Sequence, residues 1–161
     1  MASAATITVK LLNERARLPE RAYDGDAAFD LYSAEVTTLA PQSRAVVGTG
    51  VAIGLPAGMA ALTLPRSGLA ARYGIALVNA PGLIDPGYRG EIQVVLLNTD
   101  RHEPFVVRHG DRIAQLLLVD LLEVVLVETA DLDDTTRGAR GLGSSGTAGT
   151  TSDLGDPRIE L

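Results

Sequence analysis

Glycine and proline interrupt this chain so often that no regular element in it can be long. Pro41, Gly54 to Pro56, Pro65, Pro81-Gly82, Pro86-Gly87 and His109-Gly110 each mark a turn. The segments between them alternate or are densely apolar. Ile7, Val9 and Leu11 alternate with Thr8 and Lys10, as do Thr49, Val51, Ile53 and Leu55, and then Ala60, Leu62 and Leu64. That period of two belongs to half-buried strands. Apolar runs at 75–78, 92–97, 113–119 and 121–127 fit strands covered on both faces. Short strands with turns at this spacing predict an all-β domain, a jelly-roll-like barrel or sandwich. One short helix is expected at 67–73, with Ser67 as N-cap and Gly74 as its stop. Because 46% of residues are hydrophobic but only 4% aromatic, the core must be built from Val, Leu, Ile and Ala.

From Asp131 the apolar residues thin out, and Gly138, Gly141, Gly143, Gly146 and Gly149 appear among Ser and Thr. The expected division is therefore a β domain over 1–130 and a flexible Gly-rich C-terminal arm over 131–161. A net charge of −6 disfavours stable binding of nucleic acid, which needs clustered Lys and Arg, but leaves room for a small phosphate ligand. With no cysteine, thiolate catalysis, disulfides and cysteine metal sites are excluded. The N-terminus lacks the pattern of a signal peptide, and Gln115, Asp120 and Glu123 break up the most apolar region. A soluble, cytoplasmic protein without membrane contact is the expectation.

Several chemistries fall away on spacing. His102 and His109 make neither a zinc pattern nor part of a Ser-elbow triad. The glycine pattern 141–146 follows no strand and opens no helix, so it is not a dinucleotide fingerprint, and Thr147 stands where a Walker lysine would be. What remains is carboxylates and arginines at turns. Asp85, Tyr88 and Arg89 share one tight turn between apolar runs, either as chemistry or as an ordinary Asp-Pro-Gly turn. Arg66 and Ser67 stand where a strand hands over to the helix, able to hold phosphate oxygens or simply to cap. Asp30 is either a strand-end charge or a hidden partner for a cation. Arg137 and Arg140 beside Ser144 and Ser145 could clamp a polyphosphate or belong to a loose tail.

In order along the chain, these segments resemble the five motifs of the homotrimeric dUTPases. The segments are 27–31 (Ala-Ala-Phe-Asp-Leu), 65–70 (Pro-Arg-Ser-Gly-Leu-Ala), 79–91 (Asn79 through Asp85, Tyr88 and Glu91), 110–116 (Gly-Asp-Arg-Ile-Ala-Gln-Leu) and 137–146. The resemblance spans about residues 6 to 147, with the fifth motif over 137–147 and the tail 148–161 unassigned. It implies a jelly roll, a trimer with active sites shared between subunits, and Mg²⁺-dependent hydrolysis of dUTP to dUMP and pyrophosphate. That reaction keeps uracil out of DNA and supplies thymidylate synthesis.

Residue by residue, the resemblance implies that Asp85 activates the water attacking the α-phosphorus. Asn79 would read the uracil edge, and Tyr88 would pack on deoxyribose. Arg66, Ser67, Gly68 and Gln115 would hold phosphates, and Asp30 would bind waters of Mg²⁺. Arg137, Leu142, Gly143 and Ser144 would close over the substrate. Ala28 and Arg140 stand where the family usually has glycine, and Leu142 where it usually has an aromatic that stacks on uracil. A dCTP deaminase of the same fold would need a glutamate ten residues past the aspartate, and that position is Val95.

Overall fold

The computed structural model describes residues 5–142 and 144. The alternating and apolar segments form β1 (Thr8–Leu11), β2 (Ala28–Tyr32), β3 (Thr37–Leu39), β4 (Arg44–Gly48), β5 (Val51–Gly54) and β6 (Met59–Leu64). After helix α1 (Ser67–Tyr73) come β7 (Ile75–Leu77), β8 (Gly82–Ile84), β9 (Gln93–Asn98), β10 (Phe105–Val107) and β11 (Arg112–Asp120). All pairings between them are antiparallel. One sheet has the order β2-β11-β6-β8 and another β4-β9-β7, with two-stranded ribbons β1-β5 and β10-β3 beside them.

Leu31, Ala61, Ile84, Ile113 and Leu116 from the first sheet pack with Val47, Ile75, Val94 and Leu96 from the second in one buried cluster. The sheets thus form the sandwich alternative of the expected architecture, not a closed barrel. The core is aliphatic, as the scarcity of aromatics requires. Among the described residues, no helix is long and apolar enough to cross a membrane.

Three expectations need correction. In β6 the buried pair on the core side is Ala61 and Thr63, while Leu62 and Leu64 are half-buried. With Ala60 buried as well, burial in β6 does not follow the alternation of Ala60, Leu62 and Leu64. Helix α1 begins at Ser67 itself: Arg66 occupies the N-cap in extended conformation and no side chain caps the helix. Gly74 stops it as expected, in the left-handed conformation at φ 62°, donating its N–H back to Ala70 and Leu69 carbonyls.

The run 121–127 is the third. It forms no strand in this chain, and Leu122 and Leu126 are 87% and 95% exposed. Chain compactness divides between Glu123 and Val124, before the change of composition at Asp131. Apolar sequence alone does not make a strand here: the run has the composition of one but no pairing partner among the described residues.

Candidate active site

Asp30, Gln115 and Leu64 lie in one row across the four-stranded sheet, since Gln115 pairs with Asp30 on β2 and with Leu64 on β6. Pro65, Arg66 and Ser67 follow directly, so the sheet brings the second and fourth motifs beside the first. Asp30 is only 3% exposed. Burying a carboxylate is costly unless it is paired and hydrogen-bonded. Here Arg66 Nε donates to one oxygen at 3.2 Å and Arg112 Nη1 to the other at 3.1 Å. Arg66 Nη1 also donates to the Arg112 carbonyl at 3.2 Å, which leaves Nη2 without a partner among the described residues. Two cations around one anion leave this corner with a net positive charge, suited to phosphate oxygens.

Arg112 is the member that reading the sequence missed. Its place follows from a bulge. Gln115 opposes Asp30 and Ala114 opposes Leu31, but Arg112 rather than Ile113 opposes Tyr32. The extra residue reverses the alternation. Ile113 and Ala114 are therefore both buried, and Arg112 emerges on the face that carries Asp30. Ser67 and Gly68 are exposed at the edge of this corner, with open space over Gly68.

A second group assembles around β8. Asn79 precedes the strand, and Asp85 and Tyr88 are the ends of the turn that follows it, closed by Tyr88 N–H donating to the Asp85 carbonyl at 3.0 Å. Asn79, Gly82, Asp85 and Tyr88 line one cleft of about 340 Å³ with Thr63 and Val95. Gly82 is required by close approach: a Cβ there would collide with Thr63 Oγ1 and stand 3.1 Å from the Asn79 amide nitrogen. Gly90 is required likewise, because its Cβ would lie within 2.5–3.0 Å of the Tyr88 ring and hydroxyl. Arg89 Nη1 braces the turn by donating to the Pro86 and Tyr88 carbonyls at 2.6 and 2.8 Å. Val95 lines the cleft at the position where a deaminase would need glutamate.

The two groups lie apart within one chain. Ile84 pairs with Ala61, and Arg66 follows five residues beyond Ala61. At about 3.3 Å per residue that is roughly 16 Å, and Asp85 lies one residue further in the opposite direction.

Arg137, Leu142 and Ser144 belong to the second unit. There Arg137 Nε donates to the Arg140 carbonyl at 3.2 Å and Arg140 Nε to the Arg137 carbonyl at 2.9 Å, around Gly138 at φ 53°. Arg140 Nη2 also donates to the Thr136 carbonyl. The Leu142 side chain is fully exposed. Gly143, Ser145, Gly146 and the tail 148–161 lie outside the described residues.

For a metal, no group of three His, Cys, Asp or Glu among the described residues could hold an ion directly. Each Asp30 oxygen accepts one guanidinium bond and retains a lone pair able to accept from water. That donor set fits a hydrated Mg²⁺ brought by a ligand, since Mg²⁺ keeps several waters.

The family model described as dUTPase matches residues 14–146. The deoxyuridine 5'-triphosphate nucleotidohydrolase of Mycolicibacterium vanbaalenii is 54% identical over 146 residues, covering 88% of this chain and 95% of the relative. The enzyme of that name from Mycobacterium tuberculosis strain H37Rv is 54% identical over 148 residues, covering 89% and 96%. Among solved structures, a mutant dUTPase of Staphylococcus bacteriophage 80alpha with dUpNHpp superposes with a TM-score of 0.82 at 31% identity, over 89% of this chain and 99% of that one. A mutant dUTPase of phage phi11 of S. aureus, in which the coordination of a structural Mg(II) ion is described, gives 0.75 at 28% identity, over 81% and 100%. With the dUTPase family model matched over residues 14–146 and relatives of that name 54% identical over most of its length, this chain belongs to the dUTPase family.

Proposed function

We propose that the protein hydrolyses dUTP to dUMP and pyrophosphate by water attack on the α-phosphorus. The supporting observation is that Asn79, Asp85 and Tyr88 converge on one cleft of nucleoside size, away from the guanidinium corner. Asp85 is exposed at the cleft and free of ion pairs among the described residues, available to orient a water and take its proton. The Asn79 amide offers a donor and an acceptor to the uracil edge. Tyr88 covers the sugar, and a 2′-hydroxyl would meet its ring. Arg66, Ser67, Gly68 and Gln115 hold phosphate oxygens, with Asp30 keeping Arg66 in place while offering acceptors to water around Mg²⁺. When bound, Mg²⁺ neutralises charge building on the phosphoryl oxygens. In the cell this reaction keeps uracil out of DNA and feeds thymidylate synthesis.

Shared sites follow from the separation of the two groups. A base must come within about 3 Å of the attacking water, whereas Asp85 stands far along β8 from Arg66 of its own chain. One substrate therefore uses Arg66 and Gln115 of one copy and Asp85 of another, with Arg137, Leu142, Gly143 and Ser144 of a third closing over it. The exposed apolar residues from Leu121 to Val127 also call for a second chain to cover them. Light scattering should give a mass of three chains; a monomer that turns over dUTP would refute shared sites.

The deciding assay offers dUTP, dCTP, dTTP and UTP to the purified protein. Preference for dUTP is expected in kcat/KM, because a site built to pair one base edge leaves polar groups unpaired with another. Comparable kcat/KM for dCTP would sink the uracil assignment. Calorimetry should find tighter binding of a non-hydrolysable dUTP analogue with Mg²⁺ present, yet little Mg²⁺ bound by the protein alone. Tight stoichiometric Mg²⁺ binding without nucleotide would contradict a water-mediated role for Asp30.

A further inference from the structure

We propose that Glu91 is a positioning residue for Tyr88, and so a determinant of discrimination between deoxyribose and ribose. This rests on the nucleotide reading of the cleft given above. Tyr88 is 45% exposed, so burial alone does not fix its ring. Two contacts do. Its hydroxyl donates to the Glu91 carbonyl at 2.8 Å, and the ring lies against Gly90, where a Cβ could not fit. Both contacts are to the backbone of 90–91, so the ring is only as well placed as that segment.

The segment is tied to a different part of the fold, the turn between β4 and β5. The Glu91 carboxylate accepts from the Gly50 N–H at 2.7 Å. One residue on, Thr49 Oγ1 donates to the Ile92 carbonyl at 2.6 Å and Ile92 N–H to the Val51 carbonyl at 2.7 Å. The turn itself is rigid. Gly50 sits at φ 67°, and Ala16 and Asn13 press on it so closely that a Cβ would be 2.7 Å from Ala16 Cβ and 3.0 Å from the Asn13 amide nitrogen. Glu91 is thus a strut between a fixed turn and the loop that presents Tyr88.

Gly48 makes room for the strut, since a Cβ there would stand 2.8 Å from Glu91 Oε1. Glu35 Oε2 approaches the same point, at 3.7 Å, and its other oxygen accepts from Thr37 Oγ1 at 3.0 Å. An amide in place of the Glu91 carboxylate could keep its oxygen on Gly50 N–H and donate toward Glu35.

The test measures kcat/KM for dUTP and for UTP in the full-length wild type, Glu91→Ala, Glu91→Gln and Gly48→Ala. Gly48→Ala displaces only the flexible end of Glu91 and needs no strained backbone, so it should fold even where Glu91→Ala does not. In Glu91→Ala and Gly48→Ala the dUTP:UTP ratio should fall roughly tenfold, the order a single loosened steric contact commands. Most of that change should come from gained UTP turnover. Glu91→Gln should keep the wild-type ratio within about twofold, since its oxygen can still accept from Gly50. A folded Gly48→Ala or Glu91→Ala protein with the wild-type ratio overturns the proposal. A wild type that turns over neither nucleotide overturns the assigned reaction itself, and this proposal with it.

Discussion

Replacing Asp85 with asparagine is expected to cut kcat for dUTP by at least about a hundredfold while nucleotide binding stays near wild type. The amide matches the carboxylate in size, so the turn and the cleft should survive: the turn bond uses the Asp85 carbonyl, not its side chain. What is lost is the ability to accept the proton of the attacking water. Positioned base catalysis contributes on the order of 10²–10⁴-fold, and that range sets the expected loss. Because the interaction grows toward the transition state, the loss should fall on kcat rather than on the Kd of a non-hydrolysable analogue. Single-turnover kinetics beside calorimetry would separate the two. A variant keeping half of its turnover would remove Asp85 from the role of base.

Truncation before Arg137 should be comparably severe for activity and nearly silent for folding. Every residue of the buried cluster, from Leu31 to Leu116, precedes the cut. The exposed apolar segment at 121–127 precedes it too, so whatever that segment packs against in the assembly is retained. Thermal melting and light scattering should therefore look like wild type. Turnover of dUTP should fall by two orders of magnitude or more, because Arg137 and the Gly-Ser stretch would no longer hold the γ-phosphate or exclude water, and closure of such segments completes many catalytic sites. Near-normal turnover by the truncated protein would detach the fifth motif from catalysis.

Strand positions were legible wherever one chain supplies both the pattern and its cover. β5 shows it, with Val51, Ile53 and the following Leu55 buried as expected, and the intervening Ala52 buried as well. The pattern misled at 121–127, which carries the apolar density of a buried strand but forms none and is exposed. It misled again in β6, where small residues rather than leucines face the core. In the site, residues announced by turn chemistry could be named in advance, Asp85 and Tyr88 above all. Arg112 could not, because its side is decided by a bulge visible only in strand pairing. Glu91 could not either, since its partner Gly50 is 41 residues away and is reached by a side chain with no periodic signature.

The bulge in β11 assigns packing and charge to adjacent residues, Ile113 to the core and Arg112 to Asp30. Losing a single codon between Arg112 and Ala114 would leave every neighbouring residue type intact, yet restore strict alternation to the strand. Arg112 would keep its place opposite Tyr32, on the face that carries Asp30, because the residue lost is the unpaired one. Both guanidinium bonds to Asp30 would survive, and the loss would fall on the core, which gives up the buried Ile113 side chain. A one-residue deletion at Ile113 should accordingly cost stability as a large-to-small core substitution does, while leaving the charge balance around Asp30 intact.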